Sequence, residues 1–153
     1  MNKVVVTKIR KHQRYPILVV ESDPNQWLTL RSALAQCFPE IEPIWKNHTF
    51  QALEYLKTAS TNSKTIPRLI FLNPFAPSQQ EGWELLVQIK NDPFCKRIPI
   101  IAFSHSVTGE DILKAYSLGV AAYINKPSSY RQLLLDVYTI RKYWWETVTL
   151  PII

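Results

Sequence analysis

The sequence predicts an α/β domain, a doubly wound parallel sheet built from five βα units. Three observations predict it. Short runs of β-branched and aliphatic residues alternate, from Pro16 to Trp145, with stretches whose apolar residues recur at helical spacing. The strand runs lack in-and-out alternation, the mark of strands buried on both faces. Connections of only a few residues make each helix a crossover between parallel neighbours. A chain of 153 residues, 46% hydrophobic and 20% charged, has room for one such domain and a full core. That composition excludes a disordered or collagen-like chain.

Pro16 opens the first strand, Ile17-Leu18-Val19-Val20-Glu21. Asp23-Pro24 then supplies an N-cap and a proline suited to the first helical turn. The helix continues through Trp27, Leu28, Leu30, Leu34 and Phe38, an apolar stripe that stops at Pro39. Residues 41–45 read as a second strand, and Pro43 assigns it to an edge because proline donates nothing to a ladder. Thr49 is read as the cap of a second helix bearing Leu53 and Leu56. Residues 69–72 form the third strand, ending at Asn73-Pro74. A proline-punctuated loop, Phe75-Ala76-Pro77-Ser78, leads into a helix over 81–90 with Trp83, Leu85, Leu86 and Ile89 inward. The fourth strand is read over 98–103, followed by a helix over 108–118 stopped by Gly119. The fifth strand is 121–124, broken by Lys126-Pro127. Ser128 or Ser129 caps the last helix, read over 130–145.

The formal charge of +6 is unevenly spread. Lys3, Lys8, Arg10, Lys11 and Arg14 stand in the first fourteen residues without an acid, and the remainder balances to 13 − 12 = +1. The chain therefore divides into a basic arm (1–14), a nearly neutral domain (15–145) and a short tail (146–153). The arm has three readings: a solvated segment, an extra strand through Val4-Val5-Val6 and Ile9, or a charge-driven contact with an acidic protein, membrane or nucleic acid. It lacks interleaved aromatics and no helix-turn-helix follows, so no DNA-binding domain is expected. The aliphatic runs are too short for a membrane span or a secretory signal. Cys37 and Cys95 lie far apart with no C-x-x-C pair, which fits packing thiols in a reduced, cytoplasmic chain. His12, His48 and His105 show no ligand spacing, so neither metal nor cofactor is expected.

Ligands of an open parallel sheet bind at the carboxyl ends of its strands. Glu21-Ser22-Asp23 follow strand one, Asn73 strand three, Ser104 strand four and Lys126 strand five. In order and spacing these residues resemble the receiver domain of response regulators, over residues 15–140. That family places an acidic pair after strand one, a phosphoacceptor aspartate after strand three, a hydroxyl after strand four and Lys-Pro after strand five. Tyr123 stands where the family has its switch aromatic. The resemblance implies a flavodoxin-like receiver fold with strand order 2-1-3-4-5 and a place in two-component signalling. Two stretches, 89–99 and 143–151, resemble the single-domain receivers associated with cyanobacterial and bacterial phytochromes. A sensor histidine kinase or phytochrome-type protein is the partner this implies.

The departures from the family pattern carry more weight than the match. Asn73 replaces the carboxylate nucleophile with a neutral amide, a poor nucleophile. Ser22 replaces the second acid, and Asp23 falls one residue late, where it reads as an N-cap. A receiver pocket of three carboxylates and one lysine carries about −2, which a divalent cation neutralises. Here Glu21 and Lys126 cancel, so no tight Mg²⁺ site is expected, with Lys126 paired to Glu21 or hydrogen-bonded to Asn73. The reading is a pseudo-receiver, not an enzyme, acting by protein contact. One alternative is an ordinary phosphoaccepting regulator with an Asp-to-Asn change at 73. Another is a flavodoxin-like enzyme or nucleotide binder, for which three glycines leave little to build a phosphate loop.

On the last helix, Leu133, Leu134, Val137 and Ile140 are assigned to the core. Tyr138, Tyr143, Trp144 and Trp145, with Leu150 in the tail, exceed what one domain face buries. They are read as an interface, with a homodimer expected.

Overall fold

The computed structural model describes residues 14–62 and 64–148. The arm up to residue 13 and the interface candidate Leu150 lie outside the described residues. The elements alternate as β1 (Tyr15–Val20), α1 (Pro24–Cys37), β2 (Ile41–Lys46), α2 (Thr49–Ala59), β3 (Ile70–Leu72), α3 (Gln79–Asn91), β4 (Ile100–Ser104), α4 (Gly109–Ser117), β5 (Ala122–Asn125) and α5 (Tyr130–Arg141). All strand pairs are parallel and the order is β2-β1-β3-β4-β5. Pro43 sits in β2, an edge strand, where its missing N–H breaks no internal ladder.

Two core layers sandwich the sheet. On one face Ile17, Val19, Phe71 and Ile101 meet Leu30 and Leu34 of α1 and Val137 and Ile140 of α5. On the other, Leu18, Val20, Ile70 and Leu72 meet Ala52 of α2, Leu86 and Ile89 of α3 and Ala115 of α4. Alternate residues of β1 face opposite layers and all five from Ile17 to Glu21 are buried, which is why the strand shows no polar alternation. The chain runs from β1 outward to β2, then crosses back to β3. The carboxyl ends of β1 and β3 therefore open a crevice between outgoing connections of opposite direction.

Helix starts follow side-chain capping. Asp23, Ser78, Thr108 and Ser129 cap α1, α3, α4 and α5 by accepting from backbone N–H groups of the first turn. The cap of α2 is His48, not Thr49. Its Nδ1 accepts from the Phe50 N–H at 3.1 Å, a role any well-placed acceptor fills, and Thr49 becomes the first helical residue. Gly119 ends α4 at φ +104°, a backbone region that disfavours any Cβ. Gly82 has a different reason to be glycine. A Cβ there would lie 1.7 Å from the carbonyl oxygen of Pro74, so α3 packs directly on the loop that follows Asn73.

The carboxyl-terminal region differs most from the sequence expectation. The α-helix stops at Arg141 and continues as a π-helical turn, Lys142–Thr147, so the boundary read at residue 146 falls inside a turn. Arg141 grips Glu40 with Nε at 2.9 and 3.1 Å and, with Nη1, Glu146 at 2.6 Å. Trp145 packs edge-on against Tyr15 (centroids 4.9 Å apart) and Phe38 (5.7 Å), and both Trp144 and Trp145 join the α1–α5 core layer. Both tryptophans stay half-buried, so part of each ring remains open to solvent. The π-helical turn sets Trp145 against the start of β1 and the end of α1. Tyr138 and Tyr143 stay half exposed.

Candidate functional site

The residues singled out at strand ends converge at the crevice. Among the described residues, Glu21, Ser104 and Lys126 are the polar or charged side chains that are buried, and all three belong to this site. Burial of that kind is tolerated only with partners. Lys126, delivered by the loop after β5, forms an ion pair with Glu21 and a second hydrogen bond to the Oε1 of Gln26. The Nδ2 of Asn73 donates to both Glu21 carboxylate oxygens at 3.3 and 3.4 Å. Its Oδ1 accepts from the Phe75 N–H at 3.0 Å, which orients the amide. The Asp23 N–H donates to Glu21 Oε2 at 3.2 Å. Glu21 is therefore the hub, accepting from an ammonium, an amide and a backbone N–H.

The neighbouring acid takes no part in that hub through its side chain. Asp23 turns its carboxylate to the start of α1, where Oδ1 accepts from the Asn25 N–H at 2.9 Å. Ser22 is half-buried beside it. Ser104 is wholly buried and its hydroxyl accepts from the Ser106 N–H at 3.1 Å. Tyr123 donates its phenol to the Ser106 carbonyl at 2.9 Å. Ser106 also donates to Asp111, and hydrogen bonds from Ser106 and Thr108 hold that carboxyl below the usual carboxylate range. The loop between β4 and α4 is thus pinned from Ser104, Tyr123 and Asp111 together.

Two residues of this site are absent from the sequence reading. Gln26 lies three after the Asp23 cap, the position of a capping-box glutamine. Its amide instead faces the crevice and accepts from Lys126. Trp45 donates its indole N–H to the Glu21 carbonyl at 2.8 Å and stacks on Trp27 with centroids 5.4 Å apart and planes 13° from parallel. The signal for Gln26 was its place in the first turn after β1. For Trp45 nothing in the local sequence distinguishes it from a core aromatic. A cleft of about 210 Å³ runs beside the pair, bounded by Gln26, Thr29, Phe103, His105 and Pro127.

No family model matches the chain. Solved structures do. The crystal structure of the phosphorylated cyanobacterial phytochrome response regulator RcpA superposes with a TM-score of 0.80 at 33% identity, over 90% of this chain and 99% of that one. The chain belongs to the response-regulator receiver family. The Mn²⁺-bound form of response regulator Rcp1 aligns with this receiver at a TM-score of 0.76 and 29% identity, over 90% of this chain and 99% of that one. In sequence, Response regulator Rcp1 of Synechocystis sp. is 38% identical over 85 residues, which cover 56% of this receiver and 57% of that regulator. The receiver thus matches little more than half the length of that curated relative. No helix among the described residues is long and apolar enough to cross a membrane.

Proposed function

We propose that this receiver is a pseudo-receiver, which works in two-component signalling by protein contact and accepts no phosphoryl group. The observation that carries the reading is the closed hydrogen-bond set around Glu21. Position 73, the family's nucleophile, is an amide donating to that carboxylate. Lys126, the cation that would meet a phosphoryl group, is held by Glu21 and Gln26. An amide gives no acyl phosphate, and the site offers no second carboxylate for a divalent cation. Mg²⁺ wants octahedral oxygen donors including one or two free carboxylates. Glu21 is committed to Lys126 and Asn73, and Asp23 to the helix cap. The residues present do not fit the cation, and no step runs through it.

The relatives supply the partner class. RcpA is described as a phytochrome response regulator, and the likeness covers nearly all of that chain. A sensor kinase or phytochrome-type protein is the partner we infer for this receiver, in the cytoplasm. Exposed apolar residues on the two helices that flank β5 in the chain, Leu113 and Tyr116 of α4 with Leu135 and Tyr138 of α5, support a homodimer surface as well.

Acetyl phosphate treatment followed by intact-mass measurement tests the central claim. No +80 Da species is expected of the natural chain, and titration calorimetry should give no heat for Mg²⁺ at sub-millimolar concentration. The paired change Ser22→Asp with Asn73→Asp should restore both. A phosphorylated natural chain overturns the reading.

A further inference from the structure

We propose that the cleft between the first turns of α1 and α5 binds a compact, uncharged carboxamide. The cleft holds about 210 Å³, below the roughly 300–1,000 Å³ of pockets that take drug-sized ligands. Glu21 and Lys126 touch it, but Asn73, Ser104 and Tyr123 do not line it, so it is distinct from the position of the family's nucleophile. One wall is α1, where Asn25, Gln26, Thr29 and Leu30 share a helical face. The others come from the end of β4, the start of α5 and the Lys126-Pro127 loop. Leu30, Phe103 and Leu133 supply buried apolar surface for a ring or a branched alkyl group. Tyr130 ties the start of α5 to α1, its hydroxyl meeting Ser32 Oγ at 2.7 Å and Gln36 Nε2 at 2.9 Å. The two helical walls are thus braced against each other.

The polar groups of the cleft select the ligand. Lys126 is buried and only donates, so the Gln26 amide must turn its Oε1 to the ammonium. That contact leaves the Gln26 Nε2 as a donor without a partner among the described residues. Thr29 is the opposite case. Its hydroxyl proton is spent on the Asn25 carbonyl at 3.0 Å, so its oxygen is left to accept. Gln26 and Thr29 are three apart on α1 and hence neighbours on its surface. A carboxamide answers both, its carbonyl accepting from Gln26 and its NH₂ donating to Thr29. Charge narrows the class further. Glu21 and Lys126 already neutralise each other, and both Glu21 oxygens have donors. An entering anion would face Glu21 and an entering cation would face Lys126, each without a counter-ion. His105, the remaining titratable side chain of the lining, is exposed, where solvent screens it.

Titration of the full chain with benzamide tests it, followed by the backbone amide signals of Gln26 and Leu133 in two-dimensional NMR. Benzamide should shift them saturably. It should bind at least about tenfold tighter than benzoate or benzylamine, which carry the same ring with a charge. Gln26→Glu keeps an oxygen toward Lys126 but replaces the spare donor with an acceptor. It should weaken benzamide about tenfold and make benzylamine the better ligand, because the cleft then carries a negative charge in excess. Thr29→Trp, at an exposed position, fills the cleft and should abolish binding with an unchanged melting temperature. No saturable shift by benzamide, or benzoate or benzylamine bound as tightly or tighter, overturns the proposal. So does benzamide binding untouched by either change.

Discussion

At the residue scale the site is governed by what Glu21 can accept. A buried carboxylate is stable only while its lone pairs are filled, and three donors fill them: Lys126, Asn73 and the Asp23 N–H. Removing one partner of a buried ion pair costs more than the pair itself contributes, because the other charge is stranded. Lys126→Met should thus destabilise the fold by about 3 kcal/mol in urea denaturation, and the pair Glu21→Gln with Lys126→Met should recover at least half of that. A neutral single variant would show that the ammonium is not seated in the crevice. An aspartate alone at 73 would set a second anion about 3.3 Å from the first, where the amide now donates. The neutral residue at 73 therefore fits this pocket as it stands, with Lys126 already committed to Glu21 and Gln26. Cys95 is plainly structural, since burial pushes its thiol up to about 11.

Among the elements, the carboxyl-terminal turn is the one that departs most from expectation, and one ion cluster holds it. Hydrogen bonds from Arg141 keep the Glu40 carboxyl below the usual carboxylate range. The sign follows from linkage: a carboxyl depressed in the folded state stabilises fully above its unfolded value and loses that contribution as pH falls through the lower, folded one. The contact should persist through pH 5 and loosen only below about pH 4. Arg141→Gln should cost about 1 kcal/mol at neutral pH and flatten the acid dependence in that window. Trp145 fluorescence reports the change directly, because its ring sits against Tyr15 and Phe38. An acid profile identical to the natural chain would mean that Glu40 is not what holds the turn. Elsewhere the elements were legible from local pattern. The caps at Asp23 and Ser129, the stop at Gly119 and the edge position of Pro43 each follow from one residue's backbone chemistry, whereas the cap at His48 does not.

For the whole molecule the two ends of the sheet divide the work. The carboxyl end holds the crevice around Glu21 and Lys126, and the amino end holds the Arg141–Glu40–Glu146 cluster with Trp145 against Tyr15 and Phe38. Between them, α4 and α5 present apolar residues to solvent, of which Leu113 is 71% exposed. If the homodimer forms there, Tyr138→Ala with Leu113→Ala should shift the mass measured by light scattering from dimer to monomer. Aromatic anchors of that kind dominate interface energies. A dimer that survives both changes would move the interface elsewhere. Truncation after Lys142 is a poorer probe, since it also removes the packing of Trp145 on Tyr15 and Phe38.

Sequence alone determined the five βα units and the strand ends where chemistry would gather, by local rules of hydrophobic period and capping geometry. That Ser22 and Asn73 stand in place of carboxylates is read against the receiver pattern those strand ends resemble. Only the tertiary structure decided how those side chains are used. Lys126 chooses Glu21 and Gln26 over Asn73 because residues 26 and 126, a hundred positions apart, meet at one crevice. Trp145 meets Tyr15 and Phe38 because a π-helical turn, Lys142–Thr147, follows α5. Such facts depend on long-range packing, which no local pattern encodes.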